Sequence, residues 1–339
     1  MEGTGPHSDV VLSSRIRLAR NLDDLPFPQR MSEADTERLL QAAEAGVREI
    51  NLVGFPSKVE LYRLADTTPL DRQILVEKHL ISPQQSKEVM AKAVAISDDE
   101  AISIMVNEED HLRIQVLAPG LQLQEAWRTA SQVDDALEQR LQFAFDEQLG
   151  YLTACPTNVG TGLRASVMMH LPALVLTQQA GRLFHNLTQL GLVVRGLYGE
   201  GTEAAGQIFQ ISNQTSLGKA EEEIISNLEA IARTVISTEE QARRHLYGEM
   251  RLQIEDRVSR AFGILTNARM ITSEEAMRLL SDVRLGMALG VVPPIDYRIL
   301  NELLVAMQPA FLQRTAGREL NPLERDVKRA ALIRARLAG

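Results

Sequence analysis

Five arginines stand inside or at the edge of otherwise apolar, strand-like runs: Arg15 and Arg17, Arg113, Arg164 and Arg195. Arg15 and Arg17 are two apart, so an extended chain points them the same way. A guanidinium fork matches phosphate oxygens in pairs and keeps its charge, so a converging set would hold a polyphosphate without a helix N-terminus. Dispersed, each arginine would simply pair with a surface carboxylate. Glu108, Glu109 and Asp110 crowd one short turn. That pattern suits a general base, a Mg²⁺ shell or a plain exposed turn. The chain has one cysteine, Cys155, in the small-residue turn 155–162. It reads as a reactive thiolate, a redox-sensitive thiol or a small buried hydrophobe.

Known phosphate-binding signatures are missing. No GxxxxGK(S/T) loop occurs, and neither an HRD nor a DFG triplet is present. The 339 residues allow one large or two ordinary domains, and 45% hydrophobic content predicts a packed core. Aromatics supply only 4%, so that core must be mainly aliphatic. A net charge of -9 argues against nucleic acid and anionic membrane as principal partners. A single cysteine excludes an intrachain disulfide framework and fits a reducing cytoplasm. Residues 1–9 lack a signal pattern, and no apolar run is long enough to span a membrane.

The elements that must carry these groups follow from periodicity. Residues 9–20 begin the first structured segment. Ser32 to Ile50 reads as a helix capped by Ser32, with Asp35 three residues on. Lys58 to Leu64 alternates as a strand. Ala101 to Val106 and Leu112 to Leu117 form a hairpin around the acidic turn. Leu121 to Phe145 reads as one long amphipathic helix. Arg164 to Leu171, Leu192 to Tyr198 and Gln207 to Ser212 read as strands, with a glycine-bearing loop, 199–206, before the last. Beyond about residue 220 only helices are predicted, over 220–247, 250–268, 272–289, 295–307 and 322–337. Thr272 with Glu275 and Asn321 with Glu324 have capping-box spacing, and Pro322 suits a first helical position. The expected class is α+β, with an α+β domain over 1–235 and an all-helical one over 236–339.

Four stretches, in this order, resemble motifs of the ATP:guanidino phosphotransferases, the phosphagen kinase family: SSRIR at 13–17, NEEDHLR at 107–113, CPTNVGTGLRASV at 155–167 and RGLYGE at 195–200. The resemblance implies a largely antiparallel sheet flanked by helices, with ATP and Mg²⁺ as cofactors. It places ATP on Ser13, Ser14, Arg15, Ile16, Arg17, Arg113, Arg164, Ala165, Ser166, Val167, Met168, Arg195, Gly196, Leu197, Tyr198, Gly199 and Glu200. His79 matches the family histidine that contacts adenine. The family often carries a histidine where Met168 stands. Glu109 matches the catalytic carboxylate, Cys155 the thiolate beside the guanidine, and Glu200 a second carboxylate on a closing loop. The chemistry needs such a base, because a guanidinium with a pKa above ~12 is protonated and a poor nucleophile.

The SSR motif begins at Ser13, where metabolite kinases of this family carry about a hundred residues of helical lid before it. The chain instead adds helices at its C-terminus, and so resembles the branch that phosphorylates arginine in proteins. Arg325, Asp326, Val327, Lys328, Arg329 and Ala330 resemble that branch's allosteric phosphoarginine motif. Arg325 and Arg329, four apart, share one helix face and would grip a phosphate together. The resemblance further implies a homodimer, arginine-bearing protein substrates including a heat-shock repressor, a zinc-binding activator, and a Clp ATPase–protease that degrades marked proteins. Two other readings stay open: a kinase for free arginine or another small guanidine, and a non-catalytic adaptor that binds phosphoarginine.

Overall fold

The computed structural model describes residues 4–52, 54–196 and 204–337. In chain order the elements are β1 (Val11–Arg20), α1 (Glu33–Leu52), β2 (Val59–Arg63), α2 (Pro69–Glu77), β3 (Ala93–Ser97), β4 (Ile102–Val106), β5 (Leu112–Pro119) and α3 (Leu123–Glu138). There follow β6 (Phe145–Asp146), β7 (Gly150–Tyr151), β8 (Leu163–His170), α4 (Pro172–Leu176), α5 (Ala180–Gln189), β9 (Leu192–Gly196) and β10 (Ile208–Asn213). The C-terminal part is helical: α6 (Glu221–Glu249), α7 (Arg251–Asn267), α8 (Ser273–Ala288), α9 (Tyr297–Ala306), α10 (Pro309–Ala316) and α11 (Pro322–Leu337).

Eight strands form one antiparallel sheet in the order β2-β3-β4-β5-β1-β8-β10-β9. This is the expected α+β architecture. Period-two alternation gives the sheet two unlike faces. Ile16, Leu18, Ile114, Ala165 and Val167 are buried on the face that α3 and α6 cover. Each large aliphatic side chain buried there contributes ~1.5–3 kcal/mol. Arg20 ends β1 on this same face and makes a buried bidentate pair with Asp134 of α3, at 3.0 Å from Nε and 2.6 Å from Nη2. The pair fixes the strand's end against the helix.

The hydrophobic core runs without a break from Val10 into the C-terminal helices, as far as Ile333. The helix α6 passes through residues 235 and 236 unbroken. In the helical part α7 and α8 cross closely, since a side chain at Gly286 would strike Val258 Cγ1. The predicted caps form. Ser32 and Asp35 bond reciprocally, as do Asn321 and Glu324, and Thr272 accepts the Glu275 amide.

The helix predicted over 121–145 stops at Glu138. Beyond it the chain is drawn alongside the segment after β1: Asp23 N bonds Gln142 O at 3.0 Å and Ala144 N bonds Asn21 O at 2.8 Å. Tertiary pairing there overrides a helical pattern. Helices α2, α4, α5 and α10 and strand β3 were not among the predicted elements. For α2 a signal existed, a Thr68–Asp71 capping box with Pro69 at the first turn.

Candidate active site

Strand register gathers the arginines on the face opposite the helices. Arg17 lies directly across from Arg164, Arg15 from Ser166 and Ser13 from Met168. Arg113 faces Ala19, and Gln210 faces both Met168 and Arg195. Directly opposed residues share a face, so all five arginines project from one side of the sheet. Like charges set opposite one another destabilise a sheet, and Arg17 and Arg164 stand so here.

The set is poorly neutralised. Arg15 Nη2 donates to Gln210 Oε1 at 2.7 Å, and Arg164 Nη2 reaches Ser212 Oγ only at 3.4 Å. Among the described residues the ion pairs to this set are those of Arg113, with Glu108 at 2.6 Å and Glu109 at 2.9 Å. The Nε atoms of Arg17 and Arg164 are buried without a hydrogen-bond partner. Burial, then Arg113 and Arg164, brings Arg15 down to about 10. Burial, then Arg15, Arg113 and Arg164, pushes Arg17 well down. Arg164 is lowered by burial, Arg195 and Arg113, against the partial relief of Cys155 and Glu109. An incoming polyanion would satisfy these donors and remove the repulsion.

A small cleft beside the arginines is lined by Ser13, Arg15, His79, Leu117, Ser166 and Met168. Burial and the nearby Arg15 bring the His79 imidazole down to about 4, so it is neutral at physiological pH. A neutral ring against a thioether and a leucine offers an uncharged surface for a planar base. Ser14, Ile16, Ala165 and Val167 lie on the opposite, helix-covered face, and Gly196 pairs with Phe209 at the end of β9. Leu197, Tyr198, Gly199 and Glu200 lie outside the described residues.

One oxygen ties the acidic turn to the cysteine turn. Oδ1 of the fully buried Asp110 accepts from Asn21 Nδ2 and from Ala154 N, both at 2.7 Å. Residue 110 follows Glu109 and residue 154 precedes Cys155, so both groups are set by one anchor. Cys155 Sγ lies 3.1 Å from Thr157 Oγ1. Asn21 Oδ1 in turn accepts the His111 amide at 2.9 Å. Ser216 Oγ donates to the carbonyls of Asn158 and Val159, which fixes the rest of the turn. At Gly160 φ is +110°, and a side chain would strike the Leu217 backbone, so this turn requires glycine.

Asn21, Gln210 and Ser212 position the candidate groups, yet no spacing in the chain points to them; Asp110 belongs to the acidic turn that the sequence marks, but it serves there as a buried anchor. For Asp110 the expected outcome is specific. Asp110→Ala should lower kcat by ~10–100-fold through misplacement of Glu109 and Cys155, with little change in KM for ATP. Asp110→Asn, whose oxygen still accepts both bonds, should recover most of that activity. Steady-state kinetics on the two variants checks this.

Comparison with known proteins adds the family. Residues 43–242 match the model for the ATP:guanido phosphotransferase C-terminal catalytic domain, and residues 251–339 match the protein-arginine kinase McsB C-terminal domain. A protein-arginine kinase of Symbiobacterium thermophilum is 94% identical over 100% of this chain and 96% of its own length. Another, from Bacillus subtilis, is 52% identical over 99% of this chain and 92% of its own. This chain belongs to the protein-arginine kinases of the ATP:guanido phosphotransferase family.

Solved structures agree at the level of fold. The duplicated taurocyamine kinase of Schistosoma mansoni superposes with a TM-score of 0.61 at 26% identity, over 71% of this chain and 34% of that one. Lombricine kinase gives 0.59 at 24% identity, over 71% of this chain and 68% of that one. Family membership makes the protein an ATP-using kinase. No group of three or more His, Cys, Asp or Glu among the described residues is placed to hold a metal ion. Among the described residues no helix is long and apolar enough to cross a membrane.

In this protein-arginine kinase the 325–330 segment lies on α11. Arg329 is buried and donates from Nε to Met307 O at 2.9 Å, and from Nη1 to Ile271 O at 2.9 Å and Asp326 Oδ1 at 2.6 Å. Arg325 is half-buried and donates to Leu320 O at 3.1 Å. The two arginines therefore do not present a joint open fork. Arg329 instead pins α11 to the end of α9 and the start of α8. Lys328 is half-buried, Ala330 is buried and Val327 is exposed.

Proposed function

We propose that this kinase transfers the γ-phosphoryl group of ATP to arginine side chains of proteins, with Glu109 as the base and the five-arginine face as the phosphate cradle. The observation that carries this reading is the pair of buried, unpartnered Nε atoms on Arg17 and Arg164, beside an exposed carboxylate that already contacts Arg113. Glu109 orients the incoming guanidinium and removes a proton from the attacking nitrogen. That nitrogen forms a bond to the γ-phosphorus as the bond to the β,γ-bridging oxygen breaks, and ADP leaves with the electron pair. The arginines offset charge that spreads over the phosphoryl oxygens. Mg²⁺ would enter with the nucleotide and would supply charge neutralisation at its phosphates. His79 and Met168 flank the base. Cys155 meets the acceptor guanidine, and Glu200, which lies outside the described residues, is the second carboxylate toward it.

The remaining parts of the reading concern setting. Residues 325–330 receive phosphoarginine as an allosteric signal, with Arg325 the less enclosed of the two arginines. Exposed apolar side chains on α7 and α11, Leu252, Ile264, Leu323 and Val327, support a homodimer through the helical part. A cytoplasmic location, a zinc-binding activator, a Clp ATPase–protease and a heat-shock repressor as substrate complete the proposal.

The test is a parallel assay with Mg-ATP, an arginine-rich unfolded protein and free L-arginine. The reading expects phosphate on protein arginines at a rate far above that on the free amino acid. Labelling of free arginine alone would support the small-guanidine alternative.

A further inference from the structure

A buried carboxylate outside the cradle joins the catalytic part to the helical part. Glu77 is the last residue of α2 and is 7% exposed. Its two oxygens accept the amides of Ala310 and Phe311, at 2.9 and 3.1 Å, and so cap the first turn of α10. A carboxylate there meets both unsatisfied N–H groups and the positive end of the helix dipole. Two residues beyond Glu77 stands His79, in a left-handed turn with φ +60°. The His79 carbonyl is held by Gln115 Nε2 at 2.8 Å, and its amide by Val76 O at 2.9 Å. The exposed side of the same contact carries the Arg314–Asp71 ion pair. At the near end of α10, Met307 O accepts from Arg329.

We propose that Glu77 is a positioning residue for the nucleotide: it clamps the α2 turn to α10 and thereby fixes His79 in the base cleft. The proposal rests on the reading of that cleft as the adenine site. Its consequence is that the helical part sets affinity for ATP rather than the rate of transfer. A continuous run of contacts, Arg329 to Met307, α10, Glu77 and then His79, connects α11 to the cleft.

The test uses the full chain and three variants. Glu77→Gln keeps the shape, but its amide group faces one of the two helix N–H donors and cannot accept from it. The loss of a charge-assisted contact should raise KM for ATP about tenfold, with kcat within about twofold of the parent. His79→Ala should also raise KM for ATP. The double variant should be no worse than His79→Ala alone, because Glu77 acts through His79. Arg314→Ala, on the exposed side of the contact, should show a smaller rise and cannot be explained by collapse of a buried site.

If the two effects multiply, or KM for ATP is unchanged in both Glu77→Gln and Arg314→Ala, the positioning role is wrong. If His79→Ala leaves KM for ATP unchanged, the cleft is not the adenine site and the proposal falls with it. A role confined to stability would lower the melting temperature without this KM pattern.

Discussion

Glu109→Gln should cut phosphoryl transfer by ~10³-fold or more while leaving nucleotide affinity nearly intact. The size follows from the acceptor. A guanidinium is protonated at any physiological pH, so the attacking nitrogen needs a group that aligns it and takes a proton. Glutamine keeps the shape of Glu109 but can neither attract the cation nor accept its proton. Nucleotide affinity should survive because Arg113 retains Glu108 at 2.6 Å, so its guanidinium stays in place. Single-turnover transfer together with equilibrium binding of an ATP analogue separates the two effects. Substantial transfer by Glu109→Gln would remove Glu109 from the role of base.

The second large effect runs in two directions. Arg17→Met should weaken ATP binding by ~10²-fold or more, since charge-assisted bonds to phosphate are lost. The same change should stabilise the empty protein by ~1–4 kcal/mol, as replacement of buried, imperfectly paired charge by apolar volume often does. Arg17 sits across from Arg164, its Nε has no partner, and burial and three arginines oppose its charge. An arginine kept for folding would have a carboxylate beside it, as Arg20 has Asp134. Thermal melts without nucleotide and binding isotherms with it check both halves. A variant that is less stable and binds ATP normally would make Arg17 a structural residue.

The contrast between Arg17 and Arg20 shows what the chain's letters disclose. Arg15 and Arg17 were legible as a same-face pair because a strand repeats every two residues. The alternating runs around Glu108 to Asp110 marked the hairpin, helical periodicity marked the C-terminal helices, and capping spacings fixed the starts of α8 and α11. Long-range anchors were not legible. Asp110 finds Asn21 across 89 positions, and Glu77 finds Ala310 across 233. No local pattern specifies such pairings. The end of α3 was misplaced for the same reason, since pairing with 21–23 decides it. Arg325 and Arg329 show the converse limit. Helical spacing put them on one face, but burial commits Arg329 to backbone carbonyls.

The most direct test of the central claim is to follow radiolabelled γ-phosphate from ATP onto an arginine-rich unfolded protein, then map the label by mass spectrometry and challenge it with acid. The account predicts acid-labile phosphate on arginine side chains, absent with Glu109→Gln. Acid-stable phosphate on serine, threonine or tyrosine, or label on arginine that persists without Glu109, would contradict it.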